Sequence, residues 1–233
     1  MSRGRPVQHG ISVQKSDRLL AALRRAVTEL PVACVFETGT HLGLGSTRLI
    51  IDAFDGRVPE SFYTIEASPE YYRQAVANLA PYPFVRVVWG LSVSRAEAEA
   101  FVAGDEFLRD ERALANVYVD SDDPVSFYLQ EIRGGHAGQT PTALPDNWID
   151  GLLPGLCARR PLIALDSAGG VGLLEFQQAL RHAQRHPFAL FLDDVNHVKH
   201  YRSLQHVHAD SRFCLLDEDF EQGWAVALFT PAD

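Results

Sequence analysis

One stretch constrains this chain more than any other. The apolar run Val32-Ala33-Cys34-Val35-Phe36 ends in a carboxylate, Glu37, and continues as Thr38-Gly39-Thr40-His41-Leu42-Gly43-Leu44-Gly45-Ser46-Thr47. A short continuous apolar run suits a strand buried on both faces of a parallel sheet. Glycines directly behind it let the backbone turn sharply and approach a ligand closely where the next helix begins. A strand, a glycine turn and a helix in that order predict an α/β sheet with a nucleotide-like ligand at the turn.

The rest of the chain continues the alternation. Leu19, Leu20, Leu23, Val27 and Leu30 lie at helical spacing over 16–30, with Ser16 or Asp17 as cap. A helix from Ser46 to about Ala53, a strand from Phe62 to Ile65, a helix from Pro69 to about Leu79 behind the cap Ser68, and a strand from Val85 to Trp89 follow. A second series places strands at Leu162 to Leu165 and Ala189 to Leu192 around a helix from about Leu173 to Arg185. Candidate strands Phe213 to Leu216 and Trp224 to Phe229 flank an acidic turn, Asp217 to Gly223, and so short a link implies an antiparallel pair. The pattern predicts a doubly wound sheet with right-handed crossovers.

At 233 residues and 46% hydrophobic, the chain supports one substantial core. Residues 1–30 read as an extension and helix leading into a domain over 31–233, with an irregular insertion at about 104–160. Within the insertion, Tyr118-Val-Asp120-Ser-Asp122-Asp123-Pro124 lacks the later Gly and Glu of a calcium loop. It reads instead as a helix start, capped by Asp122 or Asp123 with Pro124 at the first helical position. Phe127, Tyr128 and Trp148 are core residues or the lining of an acceptor pocket.

Net charge is −9 and the 21 Lys and Arg residues are scattered, which argues against nucleic acid as a partner. Cys34, Cys157 and Cys214 are far apart and set in apolar surroundings, as small buried hydrophobes of a reducing compartment. The basic N-terminus is not followed by the apolar core of a signal peptide, and no apolar run approaches the ~20 residues that span a bilayer. These features predict a cytoplasmic protein with no membrane partner; homo-oligomer formation is left open.

The glycine turn separates candidate ligands. Arg48 stands where the third glycine of G-x-G-x-x-G would be, and no G-x-x-x-x-G-K-[ST] phosphate loop exists. Glu37 at the strand tip would repel phosphates and favour a cationic amino group. Glu66, ending the next strand, is placed to accept ribose hydroxyls, a role that suits either a dinucleotide or another nucleoside cofactor. The same features also describe strand-end acids and helix-packing glycines with no ligand.

Glu37-x-Gly39-x-x-x-Gly43 with Glu66 resembles the first two motifs of class I S-adenosylmethionine-dependent methyltransferases. Gly90-Leu91-Ser92 sits where that family's next loop flanks the adenine. The likeness runs from about residue 30 to 230. It implies a Rossmann-like α/β fold: a doubly wound, mostly parallel seven-stranded sheet with an antiparallel C-terminal strand pair. It further implies S-adenosylmethionine as cofactor, held by Glu37, Gly39, Thr40, His41, Gly43, Glu66, Ala67 and Ser92.

The second half carries three more strand-end acids, Asp166 and the pair Asp193 and Asp194, 27 and 28 residues further on. The carboxyl ends of neighbouring parallel strands open onto one crevice, so these acids should converge, and converging carboxylates call for a cation or a proton. Hard oxygen ligands favour Mg²⁺, which can hold an acceptor hydroxyl and lower its pKa. The arrangement resembles catechol-type and macrolide-sugar O-methyltransferases and implies a metal role for Asp166, Asp193 and Asp194; strand-end acids also occur as helix caps without a metal. His197 is a candidate general base, and Lys199 either a second one or a neutralising charge for the acids. A zinc site from His197, His200, His206 and His208 is disfavoured, since H-E-x-x-H is absent. The resulting expectation is methyl transfer to a small-molecule acceptor such as a sugar or phenol, probed against two others: an NAD-type oxidoreductase, and a non-catalytic cofactor-binding protein.

Overall fold

The computed structural model describes residues 16–134, 144–167 and 169–232. After α1 (Asp17–Glu29), the chain alternates β1 (Cys34–Thr38), α2 (Ser46–Ala53), β2 (Ser61–Glu66), α3 (Pro69–Leu79), β3 (Val85–Trp89) and α4 (Arg95–Gly104). Two short helices, α5 (Pro124–Gly134) and α6 (Trp148–Leu152), precede β4 (Pro161–Leu165), α7 (Gly172–Ala183), β5 (Phe188–Asp193), α8 (Tyr201–Ala209), β6 (Phe213–Asp219) and β7 (Trp224–Phe229). Helix starts follow local chemistry: Ser16, Ser68 and Ser94 each accept the backbone N–H three residues on. Ser94 also donates its hydroxyl to the Glu97 carboxylate at 2.8 Å. Asp123, not Asp122, caps α5, accepting from the Ser126 amide.

The seven strands stand in the order β3-β2-β1-β4-β5-β7-β6, parallel up to β5, with β7 antiparallel to both neighbours. This is the Rossmann-like, mostly parallel sheet with an antiparallel C-terminal pair that the sequence predicts. Strand order reverses between β1 and β4, which pair in register from Cys34↔Pro161 to Thr38↔Leu165. The crevice at their carboxyl ends is where open α/β sheets take ligands.

Alternate residues supply two cores. Cys34, Phe36, Ile163, Leu165, Leu190 and Leu192 face one layer with α6 and α7. Val35, Leu162, Ala164, Ala189 and Phe191 face the other, with α1 and α2. Both faces of the central strands are therefore dry, which is why they read as unbroken apolar runs. The irregular segment before α6 makes its own small cluster around Leu108, Leu114, Val119 and Tyr128, closed by Val198. Tyr128 is thus core.

Two expectations change. The acidic residues Asp217, Glu218 and Asp219 extend β6 rather than forming a turn, putting charge on an exposed sheet edge, where it discourages pairing with another chain. Arg18 of α1 grips Asp217 there, with its nitrogens 2.9 and 2.7 Å from the carboxylate oxygens. Cys34 and Cys157 are buried, and burial pushes both thiols up to about 11, but Cys214 is exposed on β6. Among the described residues no helix is long and apolar enough to cross a membrane. Residues 135–143 of the expected 104–160 insertion lie outside the described residues.

Candidate active site

The glycine turn folds back on the sheet before it reaches solvent. Gly39 and Thr40 donate their amides to Ile65 O of β2 at 3.0 and 3.1 Å, Gly43 closes a turn onto Thr40 O at 2.8 Å, and the Thr40 and Thr64 hydroxyls meet at 2.6 Å. Gly39 has φ +81°, and a Cβ there would overlap the carbonyl of Asp166 and come within 2.9 Å of Ser167 N. The turn therefore lies directly against the tip of β4, so the glycine turn and the second-half acids share one crevice.

Glu37 is turned inward. It is fully buried, and its oxygens accept from the Ser46 and Thr47 hydroxyls at 2.8 and 2.7 Å. This corrects the expectation that Glu37 faces a ligand's amino group: it clamps the first turn of α2 to β1. Burial pushes its carboxyl up to about 7, against the opposing hydroxyl hydrogen bonds. Between the ordinary 4.5 and about 7 the folded protein keeps a proton that the unfolded chain has lost, so this group's stabilisation is full below 4.5 and is lost as pH rises through 7. Glu37→Gln, which cannot ionise, should therefore gain stability relative to the parent across that window, by up to ~1.4 kcal/mol per pH unit. Urea denaturation at both ends of the window measures this, and parallel curves would refute it.

Glu66 joins the turns that follow β1 and β2. Its oxygens accept the His41 and Ser68 amides, each at 2.7 Å, while the side chain stays at the crevice, 8% exposed. Each carboxylate oxygen has a second lone pair, so hydroxyls of a bound ribose can still be accepted. Burial raises this carboxyl to about 7. His41 is exposed with φ +50° and stacks edge-on against Tyr71 at 4.3 Å. Ala67 lies at the same turn, with its carbonyl accepting from Trp89 Nε1 at 3.3 Å. Beyond β3, Gly90 has φ +151° and Trp148 packs where its Cβ would be, while Ser92 is buried and its carbonyl accepts from Ile149. Trp148 thus stands against the loop expected to flank the adenine. Its position was open in the sequence and comes from α6.

At the ends of β4 and β5, Asp166, Asp193 and Asp194 bring oxygens within 4.8 Å of one another. The convergence inferred from the sheet is present. The place for a cation, however, holds Lys199: its Nζ is 3.0 Å from Asp166 and 2.7 Å from Asp194. With that ammonium seated, these residues do not fit a divalent ion. Burial, and then the charges of Asp166 and Asp194, push the Asp193 carboxyl well above the usual range.

Neither proposed base offers a free basic nitrogen. The attraction of Asp166 and Asp194 outweighs burial and holds Lys199 far above its ordinary value, as an ammonium. The role that fits Lys199 is the neutralising one. His197 takes the Lys199 amide on Nδ1 at 3.2 Å, so its ring proton sits on Nε2, facing Asp120 at 3.1 Å. Both ring nitrogens are engaged. The other histidines weighed for zinc point elsewhere: His200 to Ser203, His206 to Asp210 and His208 to Glu218.

Two site residues, Asp120 and Glu175, escaped the sequence reading. Asp120 holds both His197 and the Tyr128 hydroxyl, the latter at 2.9 Å. It arrives through an isolated parallel bridge between Tyr118 and His197. Tyr128 was weighed as an aromatic, not as a donor. Glu175 of α7 lies fully buried beneath the crevice and accepts from the Thr38 hydroxyl at 3.1 Å. A buried helix acid facing the sheet is the one signal that its position in an amphipathic helix could have supplied.

No family model matches the chain, and no curated protein matches it. Solved structures do. An O-methyltransferase from Bacillus cereus in complex with SAH is 14% identical, with a TM-score of 0.50 over 94% of this chain and 83% of that one. Cofactor-bound Rv0187 from MTB is 17% identical, with a TM-score of 0.50 over 93% of this chain and 80% of that one. At such identities the likeness is one of fold. The resemblance to class I methyltransferases carried by Glu37, Gly39, Gly43 and Glu66 thus extends over nearly the whole chain as architecture.

Proposed function

We propose that this chain binds S-adenosylmethionine at the carboxyl ends of β1 and β2 and transfers a methyl group to an oxygen of a small-molecule acceptor lying over β4 and β5. The observation that carries this reading is the abutment of Gly39 on Asp166, which joins the glycine turn and Glu66 to the acidic ends of β4 and β5. When bound, the cofactor would supply a methyl group made electrophilic by its sulfonium, open to attack by the acceptor oxygen with a neutral thioether as leaving group and the acceptor's proton passing to solvent.

The chain's own residues bind and orient. Glu66 accepts the ribose hydroxyls while its other lone pairs keep the His41 and Ser68 turns in place. The Gly90 loop and Trp148 form the wall beside the base. The Asp120–His197–Tyr128 contacts set the far wall of the acceptor side. Holding two reactants in line accounts for most of what such a site must do.

An NAD-type dehydrogenase needs the N-terminus of α2 for its pyrophosphate. Here the Glu37 carboxyl already takes the Ser46 and Thr47 hydroxyls of that turn, which leaves neither for a phosphate. Calorimetric titration with S-adenosylmethionine and, separately, with NAD decides between them. Micromolar binding of the first alone is expected. Binding of NAD, or of neither, overturns the proposal. A non-catalytic binding protein would bind the cofactor yet release no SAH with any acceptor.

A further inference from the structure

Lys199 comes from the loop between β5 and α8, yet its ammonium ends among the acids of β4 and β5. Nζ donates to Asp166 Oδ1 at 3.0 Å and stands 2.7 Å from Asp194 Oδ2. The side chain is only 6% exposed. It is held from three directions. Its stem packs on Gly172 of α7, where a Cβ would meet Lys199 Cγ at 2.6 Å. Its amide is tied to His197 Nδ1 at 3.2 Å, and Asp194 takes a left-handed conformation, φ +56°, that presents its carboxylate to the ammonium.

We propose that the Lys199 ammonium takes the place of a divalent cation in this crevice, so that the chain needs no metal to bring Asp166 and Asp194 together. A lysine head is a compact point charge with three donors, two of which these acids use, which leaves one for an oxygen of a bound ligand. A divalent ion wants the same carboxylate oxygens at about 2.0–2.5 Å and would sit within a few ångströms of a fixed positive charge, which repels it. The inference concerns the acidic cluster alone and is read by metal binding, so it stands or falls separately from methyl transfer.

The test is Mn²⁺ titration of the parent, Lys199→Arg and Lys199→Met, followed by calorimetry and by thermal unfolding in chelator or millimolar Mn²⁺. Lys199→Met keeps the stem on Gly172 and removes only the charge. The parent and Lys199→Arg should bind Mn²⁺ weakly and unfold at the same temperature with or without it. Lys199→Met, left with uncompensated carboxylates, should bind Mn²⁺ at least ~100-fold more tightly and be stabilised by it. The arginine variant separates charge from packing. Micromolar Mn²⁺ binding to the parent overturns the proposal, as does a folded Lys199→Met that binds no better than the parent. Should Lys199→Met fail to fold, the parent titration decides: micromolar binding refutes the proposal and weak binding upholds it.

Discussion

Gly39→Ala should cost at least ~3 kcal/mol of stability and abolish cofactor binding, because two penalties add: a left-handed backbone that disfavours a side chain, and overlap with a neighbour that cannot rotate away. The neighbour is backbone, the Asp166 carbonyl and the Ser167 amide, directly behind a strand, β4, that is paired along its whole length with β1. Relief would require separating β1 from β4 where their tips form the crevice. For a chain of this size such a loss lowers the unfolding midpoint by about 6–12 °C. Gly45 provides the contrast within the same loop: a Cβ there meets nothing within 4 Å. Gly45→Ala should cost far less and leave binding measurable. Thermal unfolding of both variants tests the argument, and a Gly39→Ala protein within ~1 kcal/mol of the parent would sink it.

Removing the Glu66 carboxylate should be the most damaging change to cofactor affinity that leaves the fold intact. Two hydrogen bonds from ribose hydroxyls to an ionised carboxylate contribute ~1.5–3 kcal/mol each, so Glu66→Ala should weaken S-adenosylmethionine binding by ~100-fold or more. The variant also frees the His41 and Ser68 amides, which lose the partners they hold at 2.7 Å. Glu66→Gln separates the two effects, since its amide oxygen can still accept one of those N–H groups while the charge is gone. Its affinity should fall between those of Glu66→Ala and the parent. The carboxyl is raised to about 7 in the free protein, and a ribose donates best to the ionised form. Affinity in the parent should therefore improve as pH rises through 7, with proton release on binding, and Glu66→Gln should lose that dependence. A Glu66→Ala protein that binds as the parent does would remove Glu66 from the site.

Much of the framework was readable along the chain because its signals are local. Ser46, Pro69 and Val85 open their elements where periodicity and caps placed them, since a cap and the helix it starts are a few residues apart. β1 begins two residues later than the apolar run, at Cys34, and takes in Glu37 and Thr38. That small shift changed the chemistry, because it drew Glu37 into the sheet, where its carboxylate meets α2 rather than a ligand. β6 runs on through Asp217–Asp219 because strand pairing with β7 outweighs the turn preference of acidic residues.

The sequence by itself determined the order of strands and helices, the parallel character of the inner strands and the crevice at which Gly39, Glu66, Asp166, Asp193 and Asp194 meet. Two-sided burial and crossover handedness leave few alternatives, and both are written in the pattern of apolar residues. Only the tertiary structure decided what lies between the acids and which way each polar group points. Lys199 reaches Asp166 across 33 residues of chain, and Asp120 reaches His197 through one bridge between otherwise unpaired segments. Such contacts depend on distances of a few ångströms between separate elements. An ammonium 3 Å from a carboxylate and one 10 Å away leave the same trace in a sequence, but only the first can do the work of a bound cation.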